Sequence, residues 1–492
     1  MYYLGIDLGS SSIKVALVEV ATGLSKHLVQ EPEKEMSISA PEKGWAEQNP
    51  KDWWHYTCRA IKRIKMESEV SENDIQGIGI AYQMHGLVLV DKDGNSLRNS
   101  IIWCDSRAVE IGNKAYQKIG AKKCDEHLLN SPANFTASKL RWVQENEPEI
   151  YNSIFKFMLP GDYIAYRFSD IINTTISGLS EGIFWDFKED EISQDILNYY
   201  GIPKGMIPDV ATTFSNQGIV SSKGATESGL KEGTSILYRA GDQPNNALSL
   251  NVFNPGEVAA TGGTSGVVYA VTDNLSVKES SRVNNFAHVN YKKGVLKNIG
   301  KLLCINGAGI QYRWLLNNFD VQSYQEMNDL AATVTVGADG LCILPFGNGA
   351  ERMLNNQDIG TRVLNLNLNR HNKAHMCRAA LEGIAFSFVY GIEIMESDGI
   401  VPKVIRAGND NLFRSSLFSN TIATLIDKEI EIYNTTGAIG AARACAITEK
   451  GFDTFSEFMK NDYVLSFHPS EDKKAYQIAF ENWKKELKSI IN

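Results

Sequence analysis

Asp242 stands in the segment Ala240-Gly241-Asp242-Gln243-Pro244-Asn245-Asn246-Ala247, between two stretches rich in glycine and hydroxyl side chains. A lone aspartate after glycine is ordinarily a turn or helix-capping residue. Its flanks suggest other chemistry. The first runs Gly5-Ile6-Asp7-Leu8-Gly9-Ser10-Ser11-Ser12-Ile13-Lys14 and the second Gly262-Gly263-Thr264-Ser265-Gly266. Glycine lets a backbone turn tightly and approach a ligand closely, while exposed N–H groups and hydroxyls donate to phosphate oxygens. Two such turns could hold a triphosphate from both sides, with one carboxylate between them. Taken singly, each is an ordinary β-hairpin. Repetition at the head of each half of the chain points to two similar α/β domains facing one another across a cleft.

The elements that would position these residues can be read coarsely. Apolar, β-rich runs flank both glycine turns. Residues 75–81 form a buried-strand candidate, followed by Tyr82-Gln83-Met84-His85-Gly86 and a second strand at 87–90. Another apolar run leads into Trp103-Cys104-Asp105. In open α/β sheets ligands gather at the carboxyl ends of strands. Gln83, His85, Trp103 and Asp105 all occupy such positions. The second half repeats the style, with a strand at 341–346, an amphipathic helix at 374–387, and a strand at 404–407 entering the polar turn Gly408-Asn409-Asp410-Asn411. A helix from about 413 to 426 and a small-residue helix starting near 436 follow. The expected division is 1–248, 249–450 and an amphipathic helical tail, 451–492.

The 492 residues carry 43% hydrophobic side chains and a formal charge of −9, the profile of an ordinary globular chain. That charge argues against nucleic acid or an anionic membrane as partner. The seven cysteines are scattered without a Cys-x-x-Cys pair, which predicts reduced thiols and no structural zinc site. His371 and His375 could share a helix face but lack an acidic third ligand. No long apolar run and no leader-like N-terminus are present, so a cytoplasmic location is expected.

Several motifs together resemble the FGGY family of carbohydrate kinases. They are Gly5-Ile6-Asp7-Leu8-Gly9-Ser10-Ser11, Gln83-Met84-His85-Gly86, Phe135-Thr136-Ala137-Ser138-Lys139-Leu140-Arg141-Trp142-Val143, Gly241-Asp242-Gln243, Gly263-Thr264-Ser265-Gly266 and Arg378-Ala379-Ala380-Leu381-Glu382-Gly383. They occur in the family's order along nearly the whole chain. The resemblance implies an α/β fold of two actin-like, ribonuclease H-like ATPase domains facing across a central cleft. It also implies ATP-dependent phosphorylation of a ketopentose, D-xylulose first, as a step of pentose catabolism. Asp242 would then be the general base, and Asp7 the carboxylate near Mg²⁺, acting through water. Ser10, Ser11, Ser12 and Lys14 would line one side of the phosphates, with Gly263, Thr264 and Ser265 on the other. Gly307, Gln311, Gly408 and Asn409 would serve the nucleotide. Met84 and His85 would contact the sugar together with Asp242, joined by Gln83, Trp103 and Asp105. A homodimer is a further expectation from the resemblance.

Two departures from the family pattern bear on this. Ala407-Gly408-Asn409-Asp410 stands where consecutive glycines are usual, which leaves individual adenine contacts open. Gln243-Pro244-Asn245-Asn246 replaces a shorter segment after the catalytic aspartate and leaves the sugar open among xylulose, ribulose, a deoxy-ketose and gluconate. A non-catalytic sugar- and ATP-binding protein and a partner-driving ATPase are the alternatives outside sugar kinases.

Overall fold

The computed structural model describes residues 1–491. Its first hairpin joins β1 (Tyr2–Leu8) to β2 (Ile13–Glu19), and the turn closes where the Gly9 N–H donates to the Ser12 carbonyl at 3.0 Å. The chain continues through β3 (Ser25–Glu31), α1 (Pro50–Ser68), β4 (Ile75–Tyr82), α2 (Thr136–Asn146), α3 (Ile176–Glu181), β5 (Ser235–Gly241) and α4 (Asp242–Ser249). In the second half come β6 (Glu257–Gly262), β7 (Gly266–Thr272), β8 (Asn284–Ala287), β9 (Ile299–Ile305), α5 (Gly309–Asn318), α6 (Lys373–Ser397), β10 (Val404–Gly408), α7 (Ser416–Ile426), β11 (Ile430–Tyr433), α8 (Gly437–Lys450), β12 (Tyr463–Phe467) and α9 (Lys473–Ile491).

The first sheet has the order β5-β4-β1-β2-β3, antiparallel through β1, β2 and β3 and parallel through β1, β4 and β5. The second repeats it as β11-β10-β6-β7-β9, with β8 and β12 added at its edges. The repeated glycine turn is therefore one feature of a repeated five-strand plan, the two-domain α/β architecture anticipated from the sequence. Helices cover these sheets because their strands are apolar on both faces. On α1, Trp53, Ile61 and Ile64 are fully buried against β2 and β3, each burial contributing roughly 1.5–3 kcal/mol.

Helix α8 belongs to the second half of the chain yet lies on the first sheet, against β1 and β4. Its alanine and glycine face permits unusually close contact. A Cβ on Gly5 would come within 1.9 Å of the Ala438 carbonyl oxygen, and one on Gly79 within 1.8 Å of that of Ala441. Helix α4 packs on α8 in turn, where a Cβ on Gly440 would meet the Ser249 hydroxyl at 1.7 Å.

Three expectations change. The helix anticipated at 374–387 runs on to Ser397, because its apolar residues are buried nearly all round rather than along one stripe. The helix anticipated from 413 begins only at Ser416, after a single 3₁₀ turn over Asn411–Arg414. The span after 450 is more than a helical tail: β12 pairs with β11, and α9 buries Phe480, Trp483 and Leu487 in the second core, with the Trp483 indole donating to the Ile343 carbonyl at 3.0 Å. Among the described residues no helix is long and apolar enough to cross a membrane.

Candidate active site

Asp242 is the first residue of α4, directly beyond β5, whose Gly241 is in register with Tyr82 at the end of β4. Glycine is required before it. A Cβ on Gly241 would come 2.6 Å from Met84 Cγ and 2.8 Å from Glu181 Oε2. The Asp242 side chain keeps partial solvent access, but protein crowds it closely enough that burial, and then the charge of Asp7, push its pKa up to about 7. Asp7 sits near the carboxyl end of β1, cross-strand from Lys14. Burial raises the Asp7 carboxyl and the Lys14 charge opposes that rise. The start of α8 closes in here: a Cβ on Gly437 would lie 2.6 Å from Asp7 Oδ2 and 3.4 Å from Asn246 Oδ1. The Asn245 amide donates to the Gly437 carbonyl at 2.9 Å, so that side chain is spent on holding α8.

The Met84–His85 turn forms the adjoining wall. His85 has a left-handed backbone, φ 62°, uncommon for a residue with a side chain. The Lys139 ammonium on α2 holds it there by donating to the His85 and Ile102 carbonyls, both at 2.9 Å. His85 Nδ1 lies 2.9 Å from the Glu181 carbonyl oxygen. A carbonyl only accepts, so Nδ1 carries the proton and Nε2 keeps a free lone pair. Burial, followed by the Lys139 charge, pushes the His85 pKa down to about 3, which keeps the ring neutral. Its ring meets Phe135 edge-on, centroids 4.7 Å apart, and Phe286 of β8 at 5.2 Å. The second half of the chain thus contributes a wall to a pocket begun by the first. Strand β8 is clamped to α3 by the Ser177 hydroxyl donating to the Ala287 carbonyl at 3.0 Å and the Ala287 N–H donating to Ser180 Oγ at 2.9 Å. Glu181 is 1% exposed with both carboxyl oxygens unpartnered, and burial pushes its pKa well up.

Two residues anticipated beside the sugar, Gln83 and Asp105, are occupied elsewhere, and a third, Trp103, lies at the rim. Gln83 is buried, its amide donating to Gln48 Oε1 at 3.1 Å. Asp105 is fully buried, accepting from the Ala46 N–H at 2.6 Å and from Arg107 Nη2 at 2.7 Å. These side chains fasten loops, because tertiary packing closes over the strand ends that carry them. Trp103 is 54% exposed and donates to Ser10 Oγ at 3.4 Å, on the rim beside the first hairpin. In that hairpin Ser11 is exposed, Ser10 half-buried and Ser12 buried.

A cavity of about 510 Å³ adjoins the second hairpin, with Gly263, Thr264, Tyr312, Tyr324, Asn411 and Arg414 in its lining. Tyr312 and Tyr324 stack at 5.7 Å, and the Tyr312 hydroxyl donates to Asn328 Oδ1 at 3.0 Å. The hairpin is tied to α5 by the Gly309 N–H donating to the Gly263 carbonyl at 3.1 Å and the Ile310 N–H donating to that of Thr264 at 3.0 Å. Ser265 completes the turn. Gly307, Gln311, Gly408 and Asn409 do not line this cavity. A Cβ on Gly307 would collide with the Pro345 carbonyl at 2.1 Å, so that glycine serves packing, and Gln311 is buried. Beyond β10 the chain stays with the sheet, the Asn409 N–H donating to the Tyr433 carbonyl at 2.8 Å. Of the polar turn Gly408–Asn411, the cavity therefore receives Asn411, joined by Arg414, and not Gly408 or Asn409.

Cavities of about 560 Å³ between α6 and α9 and about 520 Å³ around Trp185 and Lys293 hold neither the paired aspartates nor a hydroxyl-rich turn, so size alone does not locate the site. Motif reading passed over Phe286, Glu181, Tyr312 and Tyr324, none of which stands in a recognisable motif.

Residues 2–249 match the description "FGGY family of carbohydrate kinases, N-terminal domain", and residues 258–449 match its C-terminal domain. The chain is 28% identical to "Xylulose kinase" of Bacillus subtilis (strain 168), across 98% of this chain and 96% of the relative. A solved structure described as a "xyloylose kinase" from Brucella ovis superimposes with a TM-score of 0.87 at 25% identity, covering 99% of both chains. Gluconate kinase from Lactobacillus acidophilus shares the fold, with a TM-score of 0.86 at 20% identity over 100% of this chain and 98% of that one.

Proposed function

Because the chain belongs to the FGGY family of carbohydrate kinases and is thus an ATP-dependent sugar kinase, we propose that its acceptor is D-xylulose, phosphorylated to D-xylulose 5-phosphate. The bodies 1–248 and 249–450 would form the two jaws, with α8 of the second packed on the sheet of the first. The observation that carries the reading is Asp242: a carboxyl at the head of α4, its acidity weakened by burial and by Asp7, beside a pocket wall of Met84, His85, Phe135 and Phe286. A sugar hydroxyl is a poor nucleophile at neutral pH. Asp242 accepts its proton as the hydroxyl oxygen bonds to the γ-phosphorus and the bond to the ADP oxygen breaks. A base with a pKa near the working pH is well matched to that transfer, worth roughly 10²–10⁴-fold in rate. His85 Nε2 accepts a hydrogen bond from a second sugar hydroxyl, and Met84 and the two phenylalanines pack on the carbon chain. A histidine acceptor beside an apolar wall suits a polyol chain, and the relatives at 25–28% identity are described as xylulose kinases.

The phosphates lie between the Ser10–Ser12 turn, with Lys14 behind it, and the Thr264–Ser265 turn. Asp7 Oδ2 and Asn246 Oδ1 both approach Gly437, where a Cβ would lie 2.6 and 3.4 Å from them, and so form an oxygen-donor set fitting a hard cation. Mg²⁺ held there, with Asp7 acting through water, would supply neutralisation of phosphate charge. The Tyr312–Tyr324 cavity takes the nucleoside. The test is ADP release with MgATP and D-xylulose, ribulose, gluconate, glycerol or no sugar. Strong stimulation by D-xylulose is expected; stimulation by another member alone would overturn the substrate, and none by any would overturn the kinase reading for this panel.

A further inference from the structure

The buried amide of Gln48 joins the first glycine hairpin to the turn that carries Met84 and His85. Gln48 ends the short strand Glu47–Gln48, which pairs with Ser100–Ile101, and the residue is 4% exposed. Its Nε2 donates to the Ser10 carbonyl at 2.6 Å and to the Ser37 carbonyl at 3.4 Å. Its Oε1 accepts from the Gln83 amide and from the Trp53 indole, both at 3.1 Å. Carbonyls only accept and an indole N–H only donates, so the partners fix which end of the amide faces which way. Both protons and both lone pairs are in use.

In a trans peptide the C=O of one residue and the N–H of the next point in opposite directions. Gln48 draws the Ser10 carbonyl into the protein, which turns the N–H of the exposed Ser11 outward. The Met36 N–H does the same one residue on, donating to the Ser11 carbonyl at 2.7 Å, and the Gly9 N–H takes the Ser12 carbonyl at 3.0 Å. Among the described residues no backbone carbonyl accepts the N–H of Ser10, Ser11 or Ser12. A turn whose carbonyls are tied back and whose N–H groups are left free suits phosphate oxygens. At the other end, the Gln83 N–H donates to the Leu8 carbonyl at 2.7 Å, at the foot of the same hairpin, and Met84 and His85 follow directly. Leu8, Ser10 and Gln83 are thus three points of one hydrogen-bonded frame, closed by Gln48.

We propose that Gln48 is a positioning residue for phosphoryl transfer, its amide holding the first glycine hairpin and the Met84–His85 turn in one fixed relation so that the γ-phosphoryl group and the sugar hydroxyl meet in line. The inference rests on the kinase reading above. Gln48 exchanges no proton and touches no reacting atom. Transfer needs the attacking oxygen and the phosphorus about 3–3.5 Å apart and aligned, and a misplacement of about 1 Å costs roughly 10²-fold. The two binding surfaces, residues 9–12 and 83–85, stand at the ends of different strands. Loss of the amide leaves each surface able to bind and slackens the relation between them. Methionine offers none of the four hydrogen bonds, and asparagine is one methylene too short to span Ser10 and Gln83.

The experiment compares wild type with Gln48→Met, Gln48→Asn and Trp53→Phe in ADP release with MgATP and whichever sugar of the panel stimulates most strongly. Binding of that sugar alone, binding of MgADP alone and melting temperatures are measured alongside. Gln48→Met and Gln48→Asn are expected to lose roughly 10–10²-fold in kcat while the sugar and MgADP each bind within about 3-fold of wild type. MgADP, aluminium fluoride and sugar together should bind Gln48→Met weaker by a similar factor, a loss that the separate affinities do not account for and that a packing role would not produce. Trp53→Phe removes one bond to Oε1 and leaves Ser10 joined to Gln83, so it should lower the melting temperature with kcat within about 3-fold. Unchanged kcat in either Gln48 variant, a kcat loss matched by Trp53→Phe, or weakened binding of one substrate that accounts for the whole effect would overturn the assignment and leave the kinase reading intact. If the methionine variant fails to fold, the asparagine variant decides by the same criteria. Wild-type protein inactive on every sugar would remove the kinase reading first and this one with it.

Discussion

Lys139 donates to the carbonyl oxygen of His85 at 2.9 Å, and a second bond of equal length to Ile102 anchors the same ammonium. The left-handed turn that aims the imidazole into the pocket is thus held from a helix remote in sequence. Burial lowers the Lys139 pKa to about 7, so the amine is retained there against its preference for water. Lys139→Met keeps the length and removes both bonds. A stability loss of about 2–3 kcal/mol is expected from the two orphaned carbonyls, with sugar KM up about tenfold and ATP KM unchanged. Thermal melting and two-substrate kinetics would show it, and unchanged sugar KM would break the link between Lys139 and the His85 turn.

Asp242 couples activity to stability. Its folded pKa of about 7 exceeds the unfolded value of 3.8, so the proton binds more tightly to the folded chain. The stability this group contributes is present below about pH 4 and is lost as pH rises through about 7. Asp242→Asn, neutral throughout, should lose 10²–10⁴-fold or more in turnover. It should also melt higher than wild type at pH 8 by the equivalent of about 1–2 kcal/mol, a figure reduced for the partial solvent access of the carboxylate, and show little gain at pH 4. An equal gain at both pH values would count against the raised pKa.

Gly437 at the start of α8 and Gly79 of β4, which packs on that helix, separate chemistry from architecture. Gly437→Ala sets a methyl group 2.6 Å from Asp7 Oδ2 and should raise the Mg²⁺ concentration for half-maximal rate about tenfold with a near-normal melt, since the carboxylate proposed to hold the cation must swing aside. Gly79→Ala meets backbone at 1.8 Å, which cannot yield, and should cost about 3 kcal/mol or more. Metal titration of the first variant and denaturation of the second would distinguish them.

Phe286 and Tyr324 should divide the two substrates. Phe286→Ala removes an aromatic wall beside His85 and Phe135, and a three- to tenfold rise in sugar KM is expected with ATP unaffected. Tyr324→Ala unstacks Tyr312 in the other cavity and should do the reverse. Both substitutions acting on the same substrate would refute the division.

Both glycine hairpins were legible in the amino-acid sequence because their geometry is local, whereas Asp7 and Asp242 were singled out by the family resemblance of the motifs that carry them. A hairpin turn, a residue at a strand's end and the first residue of a helix are determined by neighbours a few positions away. The duplication followed from the same local signals occurring twice. Position at a strand's end did not determine which side chains face the cleft: Gln83 and Asp105 occupy such ends and are buried among Gln48, Ala46 and Arg107. Nor could spacing bring Phe286 to His85, Glu351 to the Asn306 N–H or α8 onto the first sheet. Those encounters depend on packing between segments far apart in the chain, where burial and complementary shape, rather than any local pattern, select the partners.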